Sequence, residues 1–116
     1  MNQSEQDQRM DYIEFPSLDI DQTKSFYHSA FGWTFEDYGP DYTSFFDGRL
    51  AGGFHRVEQL NGGDVLVVIY ARDLAATEAR IQSAGGRIVA PTFEFPGGRR
   101  FHFADPSGNI LAVWSE

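Results

Sequence analysis

An internal repeat is the strongest constraint on how this chain can fold. A shift of 54 positions lays Ile13 on Val67, Phe15 on Ile69, Asp19 on Asp73, Ile20 on Leu74, Thr23 on Thr77, Tyr27 on Ile81, Ala30 on Ala84 and Gly32 on Gly86. The offset then grows to 58 for Phe45 on Phe103 and Asp47 on Asp105, and to 60 for Gly48 on Gly108 and Leu50 on Ile110, the drift expected of insertions in loops. A chance likeness can align two amphipathic helices, but it seldom reproduces strand, cap, helical stripe, stop and later strands in one order. About fifty residues cannot hide one face of such a sheet, so the two halves are expected to combine their sheets around a shared concave surface.

The local grammar is the same in each half. Tyr12 to Pro16 reads as a short strand, with Ile13 and Phe15 on one face. Asp19 opens a helix, with Gln22 three residues on as in a capping box. Ile20, Thr23, Tyr27 and Ala30, with Phe26 and Phe31, make its apolar stripe, and Gly32 ends it. Strands are expected at Trp33 to Phe35, at Tyr42 to Phe46 and, after a turn at Asp47-Gly48, at Leu50 to Val57. Beyond a linker at Asn61-Gly62-Gly63, Val65 to Ala71 is a strand, Asp73 a cap, Leu74, Thr77, Ile81 and Ala84 a second stripe, and Gly85-Gly86 its stop. Phe93-Glu94-Phe95-Pro96-Gly97-Gly98-Arg99 reads as a mobile loop hinged at its glycines, or else as a hairpin turn. Residues 1–9 are polar and without period, and are expected to form a frayed tail ahead of one domain at 10–116, with module one at about 10–60 and module two at about 64–116.

Composition narrows the chemistry. Eleven Phe supply large apolar area for a core, and the absence of Cys removes disulfides, thiolate nucleophiles and cysteine-bound metals. Nine Lys and Arg against seventeen Asp and Glu leave a net charge of −8, which repels phosphate backbones, so no nucleic acid is expected as partner. With no apolar signal core at the N-terminus and no spanning run, neither membrane nor export is expected, and the chain is read as cytoplasmic.

The repeated order, with Phe31-Gly32-Trp33 closing the first helix and Asp105-Pro106-Ser107-Gly108-Asn109-Ile110-Leu111 near the C-terminus, resembles the vicinal-oxygen-chelate superfamily, the glyoxalase and bleomycin-resistance type, from Met10 to Glu116. The resemblance implies an α+β fold of two βαβββ modules forming a cupped mixed β-sheet, with the helices on its outer face and a small-molecule cavity inside. Strand alternation agrees with that division. If Ile13, Phe15, Val67, Ile69, Phe101, Phe103, Leu111 and Val113 pack under the helices, the opposite face carries Tyr12, Glu14, Leu66, Val68, Tyr70, Arg100, His102, Ala112 and Trp114. The first set is wholly apolar, whereas the second mixes aromatics with a carboxylate, a guanidinium and an imidazole, as a binding cavity does.

Metal-dependent members of the superfamily ligate a divalent cation from the inner strands, and the resemblance puts Tyr12, Gly52, Leu66 and Ala112 at those positions. Gly, Leu and Ala carry no donor and a neutral phenol is a poor one, so neither a metal nor another cofactor is expected. His102 is the candidate base or hydrogen-bond partner, with Glu14 as a second acid or base; structural roles are the bland alternative. Arg100 is placed to hold a carboxylate or phosphate, or to pair with Glu14. Tyr12, Tyr70 and Trp114 offer stacking area, and His28 is expected on the surface, with His55 undecided. The leading expectation is a small-molecule-binding protein without the family's metal site, its unidentified organic ligand held by Tyr12, Leu66, Val68, Tyr70, Arg100, Ala112 and Trp114. The alternatives are a metal-independent isomerase or lyase using His102 with Glu14, and a non-catalytic interaction module whose cavity is filled. Exposed sheet edges point to a homodimer.

Overall fold

The computed structural model of the chain describes residues 3–61 and 65–116, and the Gly62-Gly63 part of the expected linker lies outside them. The chain divides into two compact units, Tyr12–Leu66 and Val67–Glu116, the latter joined by the N-terminal stretch up to Asp11. The strand and helix order repeats: β1 (Arg9–Ser17), α1 (Ile20–Phe31), β2 (Thr34–Asp37), β3 (Tyr42–Phe46) and β4 (Ala51–Arg56), then β5 (Leu66–Tyr70), α2 (Leu74–Ser83), β6 (Arg87–Phe95), β7 (Gly98–Ala104) and β8 (Ile110–Ser115).

In the first unit β1 pairs parallel with β4, and β4 with β3 and β3 with β2 are antiparallel. In the second, β5 pairs parallel with β8, and β8 with β7 and β7 with β6 are antiparallel. Each unit is therefore a βαβββ module with one parallel and two antiparallel pairings, and the chain has the α+β class that the resemblance implies. The parallel pairs need the crossover that the helices provide, since a tight hairpin cannot join parallel strands.

The caps form as their spacing requires. The Asp19 carboxylate accepts from the Gln22 amide at 3.0 Å, and the Asp73 carboxylate from the Ala76 amide at 3.0 Å, each satisfying an orphan donor of a first helical turn. Gly32 closes α1 with φ of 75°, its amide donating to the His28 carbonyl. Each helix covers an apolar cluster: Ile20, Phe45 and Phe54 with Phe15, Tyr27, Trp33 and Phe35 under α1, and Leu74, Ala71, Phe101, Phe103 and Val113 with Ile69, Ile81, Ile88 and Leu111 under α2. Full burial of a phenylalanine such as Phe54 or Phe101 contributes about 2–3 kcal/mol. The α1 stripe is narrower than its sequence implies: Phe26 and Phe31 are exposed at 58% and 65%, and Ala30 also faces out.

Two further expectations are corrected. The N-terminal stretch is not frayed through residue 9, because Gln3–Gln6 form a 3-10 turn and β1 begins at Arg9. Between them the Gln8 amide donates to the Tyr70 carbonyl at 2.8 Å and Gln8 Nε2 to the Thr77 hydroxyl at 3.0 Å, while Arg72 donates to the Asp7 carboxylate from its backbone and its guanidinium. Polar side chains that offered no hydrophobic period thus find polar partners in sequence-distant residues. The 93–99 segment is a hairpin rather than a lid: Phe95 pairs with Gly98 across Pro96-Gly97, with Gly97 at φ of 115°. A Cβ on Gly98 would lie 2.0 Å from the Ser115 carbonyl oxygen, so only glycine permits that approach.

Candidate functional site

Register decides which side chains share the face opposite the helices. In the first unit Tyr12 lies opposite Ala51, Glu14 opposite Gly53 and Tyr42 opposite His55. Paired residues point to one side of a sheet, so Tyr12, Glu14, Tyr42 and His55 emerge together, away from the Phe15, Phe45 and Phe54 cluster. Tyr42 donates its hydroxyl proton to Glu14 Oε2 at 2.9 Å, and the Tyr12 and Tyr42 hydroxyls lie 2.6 Å apart. Glu14 Oε1 sits 3.9 Å from His55 Nδ1, an ion pair only when the imidazole is protonated. The Glu14 side chain is 12% exposed and that of His55 38%. Burial first, then the hydrogen bond with Tyr12 and the Glu14 charge, hold the Tyr42 hydroxyl far above its usual pKa, so it remains a proton donor.

A glycine makes this arrangement possible. A Cβ at Gly53 would lie 2.0 Å from the Tyr42 oxygen and 2.6 Å from that of Tyr12. Gly52 belongs to the other face, where a Cβ would meet the Ile13 carbonyl oxygen and the Phe45 ring at 2.3 Å. Glu14 pairs with Gly53 as Val68 pairs with Ala112, so the residue of β4 that corresponds to Ala112 is Gly53. The assignment of Gly52 to that place is thus corrected by one residue, a slip that exchanges the two faces of a strand.

The second unit gathers Val68, Tyr70, Arg100, His102, Ala112 and Trp114. Val68, Tyr70 and Ala112 are buried, at 3%, 2% and 0% exposed, whereas Arg100, His102 and Trp114 are half-buried. Arg100 pairs across strands with Trp114 and with Phe93, and its guanidinium lies over the rings of Phe93 and Phe95, at 5.3 and 5.6 Å. His102 lies opposite Ala112 and Ala90, with its ring 5.7 Å from that of Phe93. Trp114 packs against Tyr70 and Phe95, and its indole donates to Asp11 at 3.0 Å. The Tyr70 hydroxyl donates to Glu116, which with burial pushes its pKa up to about 12. Leu66 opens β5, half-buried.

Of the two acid-base candidates, Glu14 therefore stands within a tyrosine network of the first unit, and His102 beside Arg100 and Phe93 in the second. Sequence reasoning missed Tyr42 and left His55 open. Tyr42 begins an expected strand, but nothing in its neighbours shows which face it takes. His28 is exposed, with Nδ1 3.1 Å from the Trp33 carbonyl.

A divalent cation does not fit the residues at the family's ligand positions. Tyr12, Gly53, Leu66 and Ala112 offer one phenol, already hydrogen-bonded to Tyr42. Among the described residues no group of three or more His, Cys, Asp or Glu is placed to hold a metal ion, and no helix is long and apolar enough to cross a membrane.

The model of the Glyoxalase/Bleomycin resistance protein/Dioxygenase superfamily matches residues 9–113. The chain is similar to the anthracycline biosynthesis protein DauV of Streptomyces sp. (strain C5), 31% identical over 124 residues, covering 89% of this chain and 45% of that protein. It thus spans less than half the length of that relative. Its fold is similar to that of a glyoxalase/bleomycin resistance protein/dioxygenase superfamily member from Vibrio splendidus 12B01, with a TM-score of 0.71 at 14% identity over 90% of this chain and 97% of that one. The Mn(II)-bound glyoxalase from Novosphingobium aromaticivorans is also similar in fold, with a TM-score of 0.70 at 19% identity over 95% of this chain and 39% of that one.

Proposed function

The chain belongs to the Glyoxalase/Bleomycin resistance protein/Dioxygenase superfamily, and from that premise we propose that it binds a small organic ligand without the metal that the metal-dependent members of the superfamily use. The observation that carries this reading is the donor set: the ligand positions hold Tyr12, Gly53, Leu66 and Ala112, and the one phenol among them is tied to Tyr42 and through it to Glu14. Binding then rests on apolar contact and hydrogen bonds. Phe93 and Phe95 present ring faces to the Arg100 guanidinium and Trp114 packs against Phe95, a surface suited to a flat aromatic body with an anionic or carbonyl oxygen. The similarity to a protein of anthracycline biosynthesis is in keeping with a polycyclic aromatic ligand.

The test is a titration of an anthracycline, followed through quenching of its fluorescence, with a chelator present throughout. Saturable binding is expected, weakened roughly 10-fold by Trp114→Ala or Arg100→Ala, the loss that removing one aromatic or charge-assisted contact produces. Ligand at about 100 times its Kd should raise the unfolding free energy by about 2.7 kcal/mol. Absence of saturable binding, or binding that appears only when Mn(II) is added, would overturn the proposal.

A second reading follows from Glu14, a carboxylate only 12% exposed that accepts from Tyr42. Such a group is placed to exchange a proton with a bound ligand, as a metal-independent isomerase or lyase requires, with His102 as the other acid-base group. Turnover that survives both chelation and His102→Ala, yet is lost in Glu14→Gln, would assign the chemistry to Glu14 alone. Association as a homodimer through sheet edges completes the proposal, and light scattering of the purified chain decides it.

A further inference from the structure

The orientation of Trp114, a ring of the proposed ligand surface, depends on a residue far away in the chain. Its indole N–H is the single hydrogen-bonding group of the side chain, and it donates to Asp11 Oδ2 at 3.0 Å across 103 positions of sequence. The ring also meets Tyr70 edge-on at 5.2 Å and Phe95 at 6.3 Å. Apolar contacts of that kind have little directional preference, whereas a bond to a carboxylate is directional and charge-assisted, and selects one orientation of the half-buried ring. We propose that Asp11 is a positioning residue that sets the plane of the Trp114 indole for stacking with a ligand, and that it is itself held by a clasp which Asp7 and Gln8 form on the second unit.

The clasp grips both layers of that unit. The Gln8 amide donates to the carbonyl of Tyr70 at the end of β5, and Gln8 Nε2 to the hydroxyl of Thr77 on α2. Asp7 accepts from the Arg72 amide at 2.7 Å and from its guanidinium at 3.0 Å. The Arg72 amide first, and then its guanidinium, lower the pKa of the Asp7 carboxyl, so these bonds keep their charge at neutral pH. Gln8 has φ of 65°, a left-handed conformation that a residue with a side chain keeps only where its surroundings hold it. Arg9 and Met10 alone separate Gln8 from Asp11, and both already belong to β1. Opening the clasp therefore displaces the carboxylate that holds the indole. This inference rests on the small-molecule reading above, and adds how the second unit fixes its aromatic surface.

The experiment follows the indole N–H of Trp114 by NMR on the full chain without ligand, its resonance assigned as the one lost in Trp114→Phe. A hydrogen-bonded indole proton resonates downfield and exchanges slowly with water. Asp11→Ala should move it upfield and weaken the binding of the anthracycline about 10-fold, the scale of one charge-assisted hydrogen bond. Asp11→Asn retains an acceptor and should restore most of the shift and of the affinity. Asp7→Ala, which alters neither partner of the indole bond, should move the same resonance upfield by a smaller amount. If Asp7→Ala does not fold, the pair of Asp11 variants still decides. An indole resonance unchanged in Asp11→Ala or in folded Asp7→Ala, or no rescue by Asp11→Asn, overturns the inference and leaves the small-molecule reading intact. Absence of anthracycline binding by the wild-type chain overturns that reading, and with it the ligand-stacking role assigned to Asp11, even where the resonance moves as expected.

Discussion

Gly53 shows how one residue can hold a site together by what it lacks. With a Cβ required to lie 2.0 Å from the Tyr42 oxygen, Gly53→Ala must push the two tyrosines apart. Overpacking of that kind costs about 1–3 kcal/mol, and thermal unfolding should show a drop of several degrees, whereas an unchanged melting temperature would contradict the packing described. Asp105 illustrates the opposite case, a residue defined by what it accepts. The Asn109 side chain first, then the Asn109 amide and those of Ser107 and Gly108, hold its carboxyl below the usual carboxylate range. A depressed folded pKa stabilises the turn above the unfolded value and is lost as pH falls through the lowered one. A carboxyl titration by NMR should therefore find the Asp105 midpoint below that of an unperturbed aspartate, and Asn109→Ala should move it upward. At this scale alternation, read within the fold that the resemblance implied, put Glu14, Arg100 and His102 on the face opposite the helices. Tyr42 and the true place of Gly53 stayed hidden, since both depend on the register between strands.

At the scale of elements, the caps and glycine stops bounded both helices closely, because those signals act within one turn. The lateral extent of the α1 stripe was less visible: Phe26 touches Tyr27 edge-on at 4.9 Å and stays outside the buried cluster. Helical period places an apolar residue near the core-facing arc but does not tell how wide an arc the sheet will cover. The N-terminal stretch makes the same point from the polar side. Its hydrogen bonds reach Tyr70, Arg72 and Thr77, more than sixty positions away. Hydrogen exchange should accordingly find the Gln8 amide protected. Exchange as fast as in an unstructured peptide would restore the frayed tail.

For the molecule as a whole, a net charge of −8 predicts no association with nucleic acid, because neutralising phosphates requires clustered cations. A gel-shift titration at low salt should show free nucleic acid throughout, and a retarded band that salt removes would contradict it. The repeat by itself determined that two βαβββ modules would form, where each helix begins and ends, and which strand positions are apolar. Those properties are written in contacts and periods spanning a few residues. Tertiary structure alone decided that Glu14 meets Tyr42 and His55, that Gly53 rather than Gly52 lies beneath the hydroxyls, and that residues 3–9 are tied to the second module. Each of those depends on the register between strands or on pairing between distant segments, and a shift of one residue would present the opposite face while leaving every local signal unchanged.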